Sequence, residues 1–222
     1  MQEVELLRPT KIIKSRRKSI SLIIKNNGEF IIRAPLHTSL DEIFSFINQK
    51  QDWIINKRKE SLNNQYNSLE CKTGEVISLL GKQFIIETKA IKRISFNENI
   101  LILPNENAKD ILIKFLKKYA KNYISERTKT LATSLKLNYE SISISSAKTN
   151  WGSCSSRNKL NFSYKLIMCP PEIVDYIIIH ELCHTKIKNH SASYWQLVKT
   201  YLPNYKQYEK WLKSNRGIVN II

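Results

Sequence analysis

Apolar and polar positions change period along the chain, and each change marks a different kind of element. Over residues 3–35 the apolar runs are short and β-branched. Val4-Glu5-Leu6-Leu7, Ile20-Ser21-Leu22-Ile23-Ile24 and Phe30-Ile31-Ile32 predict strands. Asn26-Asn27-Gly28 predicts a hairpin turn between the last two, because Asn and Gly tolerate positive φ. The period then becomes helical. Ser39 with Glu42 three residues on has the form of a capping box, and Ile43, Phe44, Ile47, Trp53, Ile54 and Ile55 carry a stripe to about Asn63. After a loop at 63–67, strands return at 76–80, 84–88, 91–96 and 100–103, with Gly81-Lys82 as one turn and Pro104-Asn105 as the close.

From 108 to about 137 one long amphipathic helix follows. Ile111, Leu112, Phe115, Leu116, Tyr119, Tyr123, Ile124, Leu131 and Leu135 recur at three- and four-residue intervals, and Lys114, Lys117, Lys118 and Lys121 mark its wet face. Aromatics at this spacing read as core packing rather than as a cofactor site. Residues 141–147 alternate Ser with Ile, the period of a half-buried strand. The turn-rich Asn150-Trp151-Gly152-Ser153-Cys154-Ser155-Ser156 comes next, then a strand at 159–164 and another at Leu166-Ile167-Met168. Cys169-Pro170-Pro171-Glu172 opens a helix, since Pro fits the first turn and Glu suits its positive end. Ile173, Val174, Ile177, Ile178 and Leu182 bury that helix. Ser191 caps another through Tyr194, Trp195, Leu197 and Val198, and a last helix follows Pro203 at about 205–212.

The helix after Pro171 carries the chemistry. His180-Glu181-Leu182-Cys183-His184 is HExxH, and His190 stands six residues later, so three of the four histidines fall within eleven residues. On a helix, His180 and His184 at i and i+4 leave one face a turn apart, and two neutral imidazoles can reach one metal ion at about 2.0–2.1 Å. Glu181 lies beside the first ligand, where its carboxylate can act as a base on water without ligating the metal. His37, the remaining histidine, stands alone after Pro35 and reads as a surface residue.

A catalytic zinc takes three protein ligands and keeps one position open. The chain has no Asp after Asp175, and Glu209 is its one Glu after Glu181, so the third ligand is His190 or Glu209. The Asn189-His190-Ser191 turn presents His190 more directly. The spacing equals that of the metzincins, but those need a glycine where Ile187 stands and a methionine turn downstream. The two methionines, Met1 and Met168, lie upstream. Cys183, between the first two ligands, reads as a small buried filler.

Trp151-Gly152-Ser153-Cys154-Ser155, Asn161, Leu166, Pro170, His180-Glu181-Leu182-Cys183-His184, Asn189-His190-Ser191 and Tyr194-Trp195 together resemble the YgjP-like metallopeptidase family, which is related to the WLM and SprT-like proteins. The match is strongest over 145–212. The resemblance implies that His180, His184 and His190 bind one Zn2+ per chain and that Glu181 is catalytic. Relatives usually carry Arg and Phe where this chain has Asn150 and Tyr194. The implied fold is α+β: a β-rich region with a helix over 1–104, then a zincin-type core over 105–222. That core would hold a long backing helix, a short antiparallel sheet, the HExxH helix and C-terminal helices. The implied reaction is peptide-bond hydrolysis by metal-activated water with Glu181 as general base. Trp151, Gly152, Ser153 and Asn161 are candidates for a substrate edge or pocket wall, and the 159–164 strand is the expected edge for an extended peptide.

Composition sharpens the choice of partner only slightly. The formal charge of +17 is uneven: up to Asp110 there are 18 Lys+Arg against 13 Asp+Glu, and beyond it 18 against 6. A basic second half fits nucleic acid, which admits two alternatives, a nucleotide or phosphoester hydrolase and a protease acting on DNA-bound proteins. Lys outnumbers Arg 27 to 9, however, and phosphate grooves favour Arg, so a solvated lysine surface is the simpler reading, as it is for Lys14 to Lys18. Phosphoester hydrolysis by two metals would also want a second Asp/His cluster. The four cysteines form no CxxC and no disulfide framework, and the N-terminus has early acids and no apolar run. No stretch approaches a membrane span, and a cytoplasmic protein acting on proteins or peptides is the expectation.

Overall fold

A computed structural model describes residues 7–25, 28–63, 69–147, 150–215 and 217–218. The expected strand at 4–7 and turn at 26–28 fall largely outside them, as does most of the loop at 63–67. The fold is α+β, and the chain divides into two compact units, Met1–Tyr66 and Asn67–Ile222.

In the first unit, β1 (Lys11–Ser15) pairs parallel to β3 (Phe30–Pro35), and β2 (Ser21–Ile24) pairs antiparallel to its other side. β1 was not expected, because Lys11-Ile12-Ile13-Lys14 is too short and too charged to stand out by pattern. The capping box forms as predicted. Glu42 N–H donates to Ser39 Oγ at 3.1 Å, and Ser39 N–H donates to Glu42 Oε2 at 2.7 Å. The single expected helix is two, α1 (Leu40–Gln49) and α2 (Gln51–Asn63), interrupted at Lys50. Phe30, Ile32, Ala34, Ile43, Ile47 and Ile54 form this unit's core.

The second unit holds everything that positions the histidines. β4 (Val76–Leu79), β5 (Lys82–Lys89), β7 (Ile100–Pro104) and β6 (Ser95–Asn97) form a sheet in that order. The turn between β4 and β5 centres on Leu80 and Gly81, both at positive φ. The inner positions of this sheet, Ile77, Leu79, Ile86, Leu101 and Leu103, share one core with Leu112, Leu116, Ala120 and Ile124 of the long helix α3 (Ala108–Leu135). That shared core fits a division of the units at 66/67, so the expected 104/105 boundary falls inside the second unit. The α3 aromatics do not all point inward. Phe115, Tyr119 and Tyr123 run on from Phe84 and Phe96 as a ladder of ring contacts, with Phe96 46% and Tyr119 37% exposed.

β8 (Ser141–Ser145), β10 (Lys159–Ser163) and β9 (Gly152–Cys154) form the third sheet. It is mixed, not antiparallel. The β9–β10 hairpin folds β10 back between its predecessors, so β10 runs parallel to β8 and antiparallel to β9. The strand expected at 166–168 is a 3-10 helix, Tyr164–Met168, whose residues are all buried. Ser163 Oγ accepts from Lys165 N–H to start the turn, Ile167 C=O accepts from Leu80 N–H at 2.7 Å, and Pro170 ends the run.

The histidine-bearing helix α4 (Pro171–Cys183) begins at a proline, as expected, and buries Ile173, Val174, Ile177, Ile178 and Leu182. Arg127 of α3 holds it through a bidentate pair, Nε and Nη2 to the two Asp175 carboxylate oxygens at 2.7 Å each. The side chains are 38% and 22% exposed, so water screens the pair. Arg127→Met is expected to cost on the order of 1 kcal/mol, read as a lower urea midpoint; an unchanged midpoint would show that the pair adds nothing. α5 (Ala192–Tyr201) and α6 (Tyr205–Ser214) complete the chain, with Ser191 Oγ capping α5 by accepting from Tyr194 N–H. No helix among the described residues is long and apolar enough to cross a membrane.

Candidate metal centre and active site

His180 lies in the last turn of α4, His184 caps its end, and His190 closes the loop before α5. Their ligand atoms all lie within 4.8 Å of one another. His190 Nε2 is 3.2 Å from His184 Nε2 and 3.2 Å from His180 Nε2. Two nitrogens bound tetrahedrally at about 2.05 Å would be about 3.3 Å apart, so the three imidazoles converge at the spacing one small cation needs. His184 Nδ1 lies 3.0 Å from Ile187 C=O. A carbonyl only accepts, so Nδ1 carries the proton and the Nε2 lone pair faces the cluster. Burial and the two neighbouring histidines hold His180 down at about 3, and burial lowers His184 as well. Both rings are therefore neutral at physiological pH, the form a metal requires. Geometry, tautomer and charge state all fit a zinc-type ion held by His180, His184 and His190.

Glu209, the alternative third ligand, accepts from Lys213 at 2.8 Å and is absent from the cluster. A backbone carbonyl, that of Ile187, braces His184. His37 is exposed and lies in the first unit.

Glu181 is 5% exposed, and burial pushes its carboxyl up to about 8. Strand β9 packs against it at its glycine. A Cβ built on Gly152 would lie 2.7 Å from both Cγ and Oε1 of Glu181, closer than real Cβ contacts come. Gly152 is thus the residue that lets an edge strand approach the carboxylate, a use of strand glycine that a side chain forbids.

Of the other candidate residues, Trp151 is half-buried against the main core, and its carbonyl accepts from Ser163 N–H at 2.9 Å. Ser153 is exposed and stands opposite Asn161 in the β9–β10 register. Asn161 lies on β10, donating to Ser145 Oγ and accepting from Ser143 Oγ at 3.0 Å each, so it ties β10 to β8. β10, the expected substrate edge, is the middle strand with both sides paired, and the edge beside Glu181 is β9.

Sequence reasoning assigned Tyr194 no site role. Its fully buried ring stacks on His184, centroids 4.3 Å apart, and its hydroxyl donates to the His180 carbonyl at 3.0 Å. The hydroxyl that separates Tyr from the usual Phe was the available signal. Trp195 lies 5.6 Å from the His190 ring and stacks on Tyr205. Cys183 is fully buried, with its thiol pushed up to about 12, in keeping with a packing role.

The comparison with curated proteins found no match. Among solved structures, the metallopeptidase zymogen jannalysin of Methanocaldococcus jannaschii is 28% identical, with a TM-score of 0.36, over 40% of this chain and 91% of that one. A family model described as "YgjP-like, metallopeptidase domain" matches residues 18–215. That span includes the histidine cluster, Glu181 and the glycine that faces it, and the chain belongs to the YgjP-like metallopeptidase family.

Proposed function

We propose that this protein is a zinc-dependent peptidase in which His180, His184 and His190 hold the ion and Glu181 is the general base. The observation that carries this reading is the convergence of three imidazole nitrogens, two of the separations being 3.2 Å, beside a buried carboxylate. When bound, zinc supplies Lewis acidity that polarises the scissile carbonyl and acidifies water. Glu181 takes the proton from the attacking water and passes it to the leaving amine. Its burial raises its affinity for a proton, which favours taking one from the attacking water.

The β9 edge, with Gly152 and Ser153, is where an extended substrate would add as a strand, with backbone hydrogen bonds holding the scissile bond over Glu181. Such pairing is indifferent to side chains and suits unfolded proteins or peptides. The test is hydrolysis of an unfolded protein and of a nucleotide phosphoester by the purified chain. Activity on the protein should vanish with chelator and return with added zinc. Phosphoester cleavage alone, or proteolysis that survives full removal of the metal, would overturn the proposal.

A further inference from the structure

We propose that Lys188 is a positioning residue for the metal site, one that fixes where the third histidine stands. Its ammonium reaches from the α4–α5 loop to the turn at the end of β9, donating to Ser155 C=O at 2.7 Å, to Asn158 Oδ1 at 2.5 Å and toward Cys154 Sγ at 3.5 Å. An ammonium has three donors, and here three acceptors surround it. The inference rests on the reading of His190 as a ligand.

The loop explains why this contact matters. Its first residues continue the helix end: Thr185 N–H donates to Leu182 C=O, and Lys186 and Ile187 N–H donate to Cys183 C=O. Past Ile187, His190 needs its own anchors. One is Ser191, which caps α5. The other is Lys188, two residues before the histidine, a span of about 7 Å at full extension. Held at 188 and at 191, the chain has little freedom over where it places the His190 ring.

The far end of the contact is equally well built. The turn is closed by Ser155 N–H to Lys159 C=O at 2.9 Å and by Asn158 N–H to Ser155 C=O at 3.0 Å, with Asn158 at φ 59°. From this turn β9 runs back through Cys154 to Gly152, the residue that faces Glu181. One ammonium therefore joins the loop bearing a metal-binding side chain to the strand against which the catalytic carboxylate packs. Lys188 contacts Cys154, Ser155 and Asn158 and acts through His190.

The experiment is zinc affinity measured by competition with a chromogenic chelator. Lys188→Met is expected to weaken binding about tenfold, at the lower end of what outer partners of metal ligands contribute. Lys188→Arg should recover part of the loss. Asn158→Gly keeps the left-handed backbone but removes one acceptor, and should weaken zinc in the same direction. His190→Ala should weaken zinc further, and the Lys188→Met/His190→Ala double variant should bind zinc no worse than His190→Ala alone, because nothing is left to position. Wild-type affinity in both Lys188→Met and Asn158→Gly, or additive losses in the double variant, would overturn the inference while leaving His190 a ligand. Wild-type affinity in His190→Ala would instead overturn the ligand reading. If Lys188→Met fails to fold, by loss of helical circular dichroism, Asn158→Gly and Lys188→Arg carry the test.

Discussion

Glu181→Gln is expected to bind zinc like the wild type and to lose roughly 10²–10⁴-fold in kcat, the usual contribution of a positioned acid–base group. The substitution is close to isosteric, so the fit against Gly152, where the Glu181 Cγ and Oε1 already leave no space for a Cβ, is preserved. It removes one capability, that of accepting a proton. The histidines point their Nε2 atoms at one another, so ion retention is a separate readout from catalysis. Zinc stoichiometry near one with turnover abolished would assign the base to this carboxylate. Undiminished turnover with the same stoichiometry would place the proton transfer elsewhere.

Gly152→Ala is the second large effect. The added Cβ would lie 2.7 Å from Glu181 Cγ and Oε1 and 3.0 Å from Cδ. These atoms belong to a buried side chain on α4, so they cannot swing freely into solvent. Either β9 retreats or the carboxylate turns away, by something near 1 Å. A misplacement of that size costs on the order of 10²-fold in rate. The variant should keep its zinc and lose kcat, like Glu181→Gln but for a steric reason. Full activity in a folded, zinc-loaded Gly152→Ala protein would show that the edge strand and the base can separate harmlessly.

The approach of His180 to His184 was legible because HExxH spacing becomes geometry directly: i and i+4 on one helix face need no tertiary knowledge. His190 was the expected third member by elimination, since Glu209 was the one downstream carboxylate left to compete, and His190 does lie with the other two. What stayed hidden depends on which strands become neighbours. Residues 159–164 read correctly as a strand, yet nothing in them says that β8 and β9 will occupy both sides. The same limit hid the partners of Gly152 and Lys188. A glycine inside a strand signals a close approach, but not what approaches. One lysine among 27 carries no mark of being held. Leu166-Ile167-Met168 misled for a local reason. A short apolar run is ambiguous between strand and buried turn, and here the Ser163 cap and Pro170 decided for the turn.

The β4–β5 turn has a consequence for where this protein can be cut. Leu80 N–H donates to the carbonyl of Ile167 at 2.7 Å, and Gly81 packs its α-carbon face against Pro170 and Pro171, the residues that launch α4. The change from strands to helix at Pro104-Asn105 invites a fragment that starts there. Such a fragment would strip the cover from Leu112 and Leu116 and release the footing of the helix on which His180 and Glu181 stand. The smallest piece that keeps this helix anchored begins near residue 67, where the second unit starts.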